Sequence, residues 1–283
     1  MSDPYEEAGS IVEEEEDQIS LVKYSYLLND EVATILEEVL EENPLPFELA
    51  DFQRLAIHAL GSLQNVILIS PTGSGKMMVV YLAILVLQKK FGIHSGVGVG
   101  TQPLSSIMKE KLKTALIPTG TISMRGSVQT STSLEEEEEE VSLSVSLDDM
   151  MTGMVSCLIG HAESWLSKTA KEILDSLQDL GLILLSFVDE AHVTLKDHWD
   201  SFRPQMRQVP GQLRGRAVRS APCLAMTATL APEEVNQLME TLGLRSENTV
   251  VLQGNPIQQH FKFIRLVFTD YSQFWTVMTS KDN

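Results

Sequence analysis

The sequence predicts an α/β fold in which helices cover both faces of a parallel β-sheet. Short runs that are apolar throughout alternate with segments of helical periodicity along most of the chain. Strands without polar alternation are typical of a sheet buried on both faces, and parallel strands need helical crossovers between them. With 283 residues, 43% of them hydrophobic, the chain is long enough for one or two domains with a sizeable core.

The predicted helices and strands alternate along the chain. Helices are recognised by apolar residues at intervals of three and four, and most end at glycine or proline. They are predicted from Asp30 to the stop at residues 43–46 and over residues 51–61, 76–90, 103–112, 163–179 and 231–243. Strands are predicted from β-rich apolar runs over residues 65–70, 96–100, 154–159, 182–190, 221–229 and 262–268.

The charge is distributed unevenly along the chain. The formal net charge is −18, which by itself argues against nucleic acid as a partner. Residues 1–50, however, hold 15 acids and one base, and residues 135–140 are six consecutive Glu followed by Asp148 and Asp149. Without these two acidic segments the rest of the chain carries 16 acids against 20 bases, so the body of the protein is mildly basic.

Two acidic segments are expected to lie outside the packed domain. Residues 1–18 cannot bury enough surface to fold, and we expect them to be disordered. Between Gly120 and Met151 the pattern gives way to Ser, Thr and Glu, and residues 127–149 are predicted to form a low-complexity, solvated insertion in a surface loop. The acidic segments are candidate sites for protein partners, although no motif in them supports one.

The cysteines and the amino terminus indicate an intracellular protein. Cys157 and Cys223 lack metal-ligand spacing, which suits a reducing compartment and no structural zinc site. The acidic amino terminus is the opposite of a secretory or transit signal. The longest apolar stretch, residues 77–87, is too short to span a bilayer, so we expect no membrane partner.

The stretch SPTGSGKM, residues 70–77, predicts a phosphate-binding loop between a strand and a helix. Glycines let backbone N–H groups approach phosphate oxygens, the helix amino terminus adds positive potential, and Lys76 can reach the outer phosphates. Such loops place Ser or Thr after the lysine to help hold magnesium, and here the residue is Met77. The alternative is an ordinary strand–helix turn.

The stretch VDEAH, residues 188–192, follows an apolar strand and supplies two carboxylates. At the carboxyl end of a strand Asp189 can hold magnesium, and Glu190 can accept a proton from an attacking water. The alternative is a pair of solvated carboxylates. His192 is either structural or a link between the nucleotide site and another element.

The stretch MTATL, residues 226–230, also follows an apolar strand. Thr227 and Thr229 place hydroxyls at the carboxyl edge of the sheet, where open α/β sheets bind ligands. For Thr229 the competing interpretation is a cap of the helix that begins near Pro232.

These three stretches, in this order, resemble the first motor domain of superfamily 2 helicases, and further segments resemble the RecQ family. PLSSIMKEK, residues 103–111, is similar to a family segment that lies on one strand of the nucleic acid. CLIGHAESW, residues 157–165, and HWDSFRP, residues 198–204, are similar to two others, the second an aromatic-rich loop. FELADFQRLAI, residues 47–57, resembles the adenine-recognising segment. The resemblance covers roughly residues 44–268.

The resemblance implies a RecA-like, P-loop NTPase fold and an ATP-dependent 3′→5′ DNA helicase that uses ATP and Mg²⁺. The implied partner is DNA, single-stranded or duplex with a 3′ tail, and the implied location in a eukaryote is the nucleus. The implied nucleotide-binding residues are Gln53, Thr72, Gly73, Ser74, Gly75, Lys76 and Met77. The other roles fall on Glu190 and Lys76 (catalysis), Asp189 (metal), and His192, Thr227 and Thr229 (coupling). The implied DNA-binding residues are Pro103, Ser105, Trp199, Phe202 and Arg203.

The sequence departs from the family pattern at several points. Met77 replaces the hydroxyl residue on the magnesium side, and His161-Ala162 replaces Ala-Pro. In the aromatic loop Trp199 is shifted by one position. Five arginines between two motifs are either DNA contacts or part of a solvent-exposed loop: Arg203, Arg207, Arg214, Arg216 and Arg219.

The predicted organisation has three parts. Residues 1–43 form an acidic arm and an amino-terminal helix, residues 44–255 form a RecA-like ATP-binding domain with the insertion 127–149, and residues 256–283 begin a second lobe that the sequence does not contain. The predicted function is the nucleotide- and DNA-binding lobe of a RecQ-like helicase, whose unwinding activity needs that second lobe. The alternative is a non-catalytic nucleotide- or DNA-binding module from a truncated or degenerate paralogue.

Overall fold

The computed structural model describes residues 27–101, 119–124, 141–143, 146–195, 208–216 and 221–254. The predicted disorder of residues 1–18, the helix at 103–112 and the strand at 262–268 lie outside the described residues. None of the described helices is long and apolar enough to cross a bilayer.

Every helix and strand predicted within the described residues is found there, one predicted helix as two, together with three strands and two α-helices that were not predicted. The α-helices are α1 (Asp30–Glu42), α2 (Asp51–Gly61), α3 (Lys76–Phe91), α4 (Leu147–Met151), α5 (Ala162–Leu166), α6 (Lys168–Asp179), α7 (Val209–Arg216) and α8 (Glu234–Thr241). The strands are β1 (Asn65–Ile69), β2 (Val97–Thr101), β3 (Thr119–Met124), β4 (Val141–Leu143), β5 (Cys157–Gly160), β6 (Ile183–Val188), β7 (Cys223–Thr227) and β8 (Thr249–Gln253). Short 3₁₀ turns cover Ala191–Thr194 and Ser246–Asn248.

These eight strands of the described residues form one sheet in the order β4-β3-β5-β2-β6-β7-β1-β8. Neighbouring strands are parallel except β3 and β4, which pair antiparallel at one edge, with Met124 opposite Val141. The predicted parallel sheet is therefore confirmed. Because β6, β7 and β1 are adjacent and parallel, the segments that follow them meet at one edge of the sheet.

Helices cover both faces of the sheet, because successive strand residues point in opposite directions. Helices α1 to α3 pack on one face against side chains such as Leu68 and Phe187. The opposite face carries Val99 and Ile67, which belong to clusters that include side chains from α6, α7 and α8. Burial of a Leu or Phe side chain contributes about 1.5–3 kcal/mol, so these two layers supply most of the driving force for folding.

Trp165 fixes α5 against the sheet. Its side chain is fully buried, and its Nε1–H donates to the carbonyl of Gly100 at 3.0 Å. Gly100 leaves room on the other face, where a Cβ atom would lie 2.3 Å from the ring of Phe187. The strand β2 can therefore be packed tightly from both sides only with glycine at this position.

The predicted helix at 163–179 is divided in two by Ser167. This residue has extended backbone angles (φ −64°, ψ 156°), and it ends α5 and caps α6. Its hydroxyl donates to the carbonyl of Ser164 at 2.7 Å and accepts from the amide of Ala170 at 3.2 Å. A serine side chain that bonds to nearby backbone groups competes with the helix in this way, and helical periodicity alone does not reveal it.

The prediction that no regular structure lies between Gly120 and Met151 was wrong in part. Strands β3 and β4 and helix α4 fall in this interval. Ser146 caps α4 by accepting from the amide of Asp149 at 3.1 Å, while Asp149 accepts from the amide of Ser146 at 2.8 Å. The prediction followed composition, whereas local capping and edge pairing decide the structure here. Residues 125–140 lie outside the described residues.

Candidate functional site

The loop between β1 and α3 has the backbone shape that its glycines predict. Gly73 and Gly75 both have left-handed backbone angles, with φ values of 88° and 83°. A Cβ atom on Gly75 would lie 2.6 Å from Nε2 of Gln53, so a larger residue is excluded by contact as well as by conformation. Helix α3 begins directly after this glycine, which places a helix amino terminus at the loop.

Lys76 lies at the centre of the loop. Its Nζ donates to the carbonyls of Ser70 and Pro71, at 2.8 and 2.9 Å. Burial lowers the pKa of Lys76 below its ordinary value, and the negative charges of Asp189 and Glu190 oppose that shift. The lysine and the two carboxylates therefore share one electrostatic environment, although 113 positions separate Lys76 from Asp189 in the sequence.

Gln53 is buried against the loop. Its Oε1 accepts from the amide of Ala50 at 2.9 Å, and its Nε2 donates to the carbonyls of Ser74 and Gly75 at 3.3 and 3.2 Å. The structure thus brings the glutamine to the nucleotide loop as a brace of the loop backbone. Its role in adenine recognition stays a prediction.

Asp189 and Glu190 follow β6 directly. The amide of Asp189 donates to the carbonyl of Thr101 at 3.1 Å, which ties the residue after β6 to the end of β2. Oδ1 of Asp189 accepts from the amide of Glu190 at 3.0 Å. Glu190 has φ 51° and ψ 45°, a left-handed conformation that costs a residue with a Cβ about 1–2 kcal/mol. Such strain concentrates at functional sites, which favours a role for this carboxylate beyond solvation.

His192 connects the acidic pair to β7. Its Nδ1 lies 2.8 Å from Oγ1 of Thr227 and 3.3 Å from Oε2 of Glu190. The single hydroxyl proton of Thr227 is donated to the carbonyl of Thr229 at 3.0 Å, so the hydroxyl can only accept from His192. We therefore assign a proton to Nδ1 of His192, where it is shared between a carboxylate and a hydroxyl. For His192 two interpretations were open: a structural role, or a link between the nucleotide site and another element.

Thr229 is not the helix cap that the competing interpretation required. Helix α8 begins at Glu234 with Glu233 as its cap residue, and the amide of Ala231 donates to Oε2 of Glu234 at 2.9 Å. The Thr229 backbone instead bonds to the Thr227 hydroxyl through both its amide and its carbonyl. Thr227 is fully buried and Thr229 is exposed at the same edge of the sheet.

Met77 contributes packing at the position where a hydroxyl was expected. Its half-buried side chain packs against the apolar cluster beneath α1 to α3. Within the described residues no group of three or more His, Cys, Asp or Glu side chains could hold a metal ion. The glycines, the helix amino terminus and Lys76 fit a polyphosphate, and Asp189 with Glu190 is the donor set near them for magnesium, which keeps several waters at most protein sites.

Several predicted site residues lie outside the described part of the chain. They are the predicted DNA-binding residues Pro103, Ser105, Trp199, Phe202 and Arg203. Of the arginine-rich stretch, Arg214 is described, and its Nη1 donates to the carbonyls of Leu242 and Gly243 at the carboxyl end of α8. This contact ties Arg214 to the end of α8, and a role of Arg214 in DNA binding stays a prediction.

Sequence reasoning placed Ser70 at the start of the predicted loop but assigned it no role in the site. It is buried, its carbonyl accepts from Lys76, and its Oγ donates to Oγ of Ser74 at 2.7 Å. Its amide donates to the carbonyl of Thr227 at 2.9 Å, which joins the loop to β7. The available signal was its position as the polar residue that ends a buried strand just before the loop.

The fold and site define the class of the protein. A glycine loop with a lysine between a strand and a helix, and an acidic pair at the end of a nearby parallel strand, are the features of a RecA-like P-loop NTPase domain. Residues 50–238, more than half of the chain, match the family model described as DEAD/DEAH box helicase. The chain belongs to the DEAD/DEAH box helicase family, whose helicase domains bind ATP, typically with Mg²⁺.

Several solved helicase structures are similar to this chain. The DUF1998 helicase MrfA bound to DNA is 14% identical, with a TM-score of 0.53 over 81% of this chain and 30% of that chain. The DEAD-box helicase Mss116 bound to ssRNA and UDP-BeF is 17% identical, with a TM-score of 0.51 over 85% of this chain and 45% of that chain. A hypothetical ATP-dependent RNA helicase from Sulfolobus tokodaii is 13% identical, with a TM-score of 0.47 over 80% and 57%.

At these identities the likeness to Mss116 and MrfA shows the fold alone. The chain spans 30% to 57% of the length of the three structures. No curated protein matches the chain in sequence.

Proposed function

We propose that this chain is the nucleotide- and DNA-binding lobe of an ATP-dependent 3′→5′ DNA helicase of the RecQ type. Membership of the DEAD/DEAH box helicase family is the established part of this statement. The type, the polarity and the preference for DNA are the proposal. The expected nuclear location in a eukaryote belongs to the same proposal, and fluorescence microscopy of the tagged protein tests it.

The observation that carries the nucleotide site is the convergence of three segments at one edge of the sheet. The loop follows β1 and the acidic pair follows β6, and β7 lies between these two parallel strands, so the loop and the pair lie at one edge of the sheet. The charges of Asp189 and Glu190 accordingly oppose the lowering of the pKa of Lys76 by burial. His192 then joins Glu190 to Thr227 on β7. A strand–helix turn without a ligand needs neither the acidic pair nor the hydrogen-bonded link.

The proposed roles follow from this arrangement. Lys76 and the backbone of residues 72–77 would hold the phosphates, and Asp189 would hold magnesium. ATP would supply the phosphoanhydride bond whose hydrolysis powers movement, and Glu190 would accept the proton of the attacking water. His192 and Thr227 would transmit the state of this carboxylate to β7, with Thr229 exposed at the surface where a second lobe would close.

The RecQ type rests on sequence segments. CLIGHAESW at residues 157–165 and HWDSFRP at residues 198–204 are similar to RecQ segments, as is PLSSIMKEK at residues 103–111. Structural neighbours include one bound to DNA and one bound to ssRNA. The proposal of DNA therefore follows from the RecQ-like segments, and RNA is an outcome that the experiment below distinguishes.

Met77 supports a second candidate, a nucleotide- or DNA-binding module without catalysis. Its side chain packs into an apolar cluster and offers no oxygen to a metal. Because magnesium accepts water in place of a protein ligand, we favour a weakened hydrolase over a non-catalytic module.

The test uses the full-length protein. ATP hydrolysis is measured with single-stranded DNA and with single-stranded RNA of the same sequence, and unwinding is measured on duplexes with 3′ or 5′ tails. We expect stimulation by DNA and unwinding of the 3′-tailed duplex. Lys76→Ala should abolish both activities.

The matched control is Lys90→Ala at the far end of α3. Lys90 makes an exposed ion pair with Glu31 at 2.9 Å, of a kind that contributes at most about 1 kcal/mol, so hydrolysis should persist in this variant. Stimulation by RNA alone, or unwinding of the 5′-tailed duplex alone, would contradict the RecQ assignment. Nucleotide binding without hydrolysis would favour the non-catalytic module.

A further inference from the structure

The chain leaves β8 through Gly254, which lies against the phosphate loop. β8 pairs with β1 as far as Ile69 opposite Gln253, and the amide of Gly254 donates to the carbonyl of Ile69 at 2.8 Å. This bond extends the pairing to the residue where the loop begins. Gly254 is buried, so the contact lies inside the domain rather than at its surface.

Glycine is required at this position by space rather than by backbone conformation. The φ angle of Gly254 is not in the left-handed region. A Cβ atom would nevertheless lie 2.6 Å from Oγ of Ser70, 3.2 Å from its Cβ and 3.4 Å from Cδ1 of Phe52. Two heavy atoms without a hydrogen bond between them do not approach to 2.6 Å, so any side chain here must turn the Ser70 hydroxyl out of its place and crowd its Cβ atom.

Ser70 passes such a displacement to the nucleotide site. Its Oγ donates to Oγ of Ser74 within the loop, and its carbonyl accepts from Nζ of Lys76. Phe52, the other neighbour, precedes Gln53, whose side-chain Nε2 donates to the loop carbonyls of Ser74 and Gly75. The space beside Gly254 is therefore bounded by the two elements that shape the loop.

We propose that Gly254 is a positioning residue for the nucleotide site: its missing side chain lets Ser70 hold the phosphate loop in the form that accepts nucleotide. The consequence is that Gly254, at the end of β8, and the phosphate loop cannot move independently. The proposal rests on nucleotide binding by this loop as proposed above, but it requires neither hydrolysis nor nucleic acid.

The experiment compares Gly254→Ala with Gly215→Ala. Gly215 lies in α7, where an added Cβ would meet no atom within 4 Å, so it is a matched control for the same chemical change. Two quantities are measured: the affinity for ADP carrying a fluorescent ribose label, and the amide hydrogen exchange of residues 70–78 in the protein without nucleotide. We expect Gly254→Ala to weaken ADP binding about fivefold, as the loss of one neutral hydrogen bond predicts, and to accelerate exchange in the loop.

A third variant separates a specific contact from general damage. In a Ser70→Ala background the Oγ atom that the new methyl group strikes is absent, so Gly254→Ala should cost clearly less affinity than it does in the parent. Unchanged loop exchange and unchanged affinity in Gly254→Ala would overturn the proposal, as would equal losses in both backgrounds. If the parent binds no ADP but Gly254→Ala still accelerates exchange in residues 70–78, the nucleotide function fails and the control of loop position by Gly254 stands.

Discussion

Replacement of Gln53 should loosen the phosphate loop even before nucleotide binds. The side chain makes three hydrogen bonds, one to the amide of Ala50 and two to the carbonyls of Ser74 and Gly75. A neutral hydrogen bond contributes about 0.5–1.5 kcal/mol net, and water can reach the partly exposed loop carbonyls after truncation. We therefore expect Gln53→Ala to reduce the free energy of unfolding by about 2 kcal/mol, a fall in Tm of about 4–8 °C for a domain of this size.

A second variant, Gln53→Glu, tests which of the bonds matter. The introduced carboxyl can still accept from the amide of Ala50, but when ionised it cannot donate to the loop and faces two carbonyl oxygens. Its stability should be at most that of Gln53→Ala near neutral pH. It should rise as the pH falls through the raised pKa of the introduced carboxyl, because the protonated form regains a donor.

The assay for the variants is thermal unfolding followed by binding of ADP and of inorganic pyrophosphate. If Gln53 shapes the loop, both ligands should lose affinity in Gln53→Ala. If Gln53 acts only by reading adenine, ADP alone should lose affinity. Parent-like unfolding of both variants would refute the bracing role, because the three bonds would then contribute nothing to the fold.

Three further predictions concern charge and metal at the same site. Met77→Thr should lower the magnesium concentration needed for half-maximal ATP hydrolysis and leave the metal-free nucleotide affinity nearly unchanged, because it restores one oxygen donor beside Lys76. A magnesium titration of the full-length protein measures this effect. An unchanged magnesium dependence would mean that the metal is held another way. Burial lowers the pKa of Lys76 below 10.5. Nucleotide affinity should fall as the pH rises through this pKa, because only the charged ammonium attracts phosphate. The residual nucleotide binding of Lys76→Ala should not show this loss of affinity at alkaline pH. Replacement of the six Glu at residues 135–140 by Gln should strengthen binding of single-stranded DNA at low salt. The gain should be smaller at high salt, where screening already weakens the repulsion between the carboxylates and the DNA phosphates. Equal affinity of the parent and the variant at low salt would mean that the run lies far from bound DNA.

Much of the architecture could be predicted because local pattern and global fold agree. Helix α2 was predicted over residues 51–61 and is found at Asp51–Gly61, and the strand and glycine loop that follow lie where the apolar run and the glycines place them. The position of the candidate site at one edge of the sheet could also be predicted, since the residues that follow parallel strands meet at one edge.

The remaining features depend on contacts that no local pattern reports. The bonds of Gln53 to the loop, the proton shared by His192 and the position of Ser70 arise when segments distant in sequence pack together. Strand β8 was missed because five residues that directly follow a 3₁₀ turn carry too short a pattern, and their pairing with β1 defines them. Strands β3 and β4 were missed because serine- and threonine-rich composition was given more weight than their pairing at the sheet edge.

The antiparallel pairing of β3 with β4 makes this edge a suitable graft point. Met124 and Val141 are directly opposite each other, so the stretch between them departs from and rejoins the sheet at one place. Its length can change without shifting any strand of the parallel core, and a doubling of such a connection costs only about 0.6 kcal/mol in closure entropy. The length of that stretch can therefore change at little cost to the fold, and an affinity tag or fluorescent reporter inserted there should leave the nucleotide edge of the domain undisturbed.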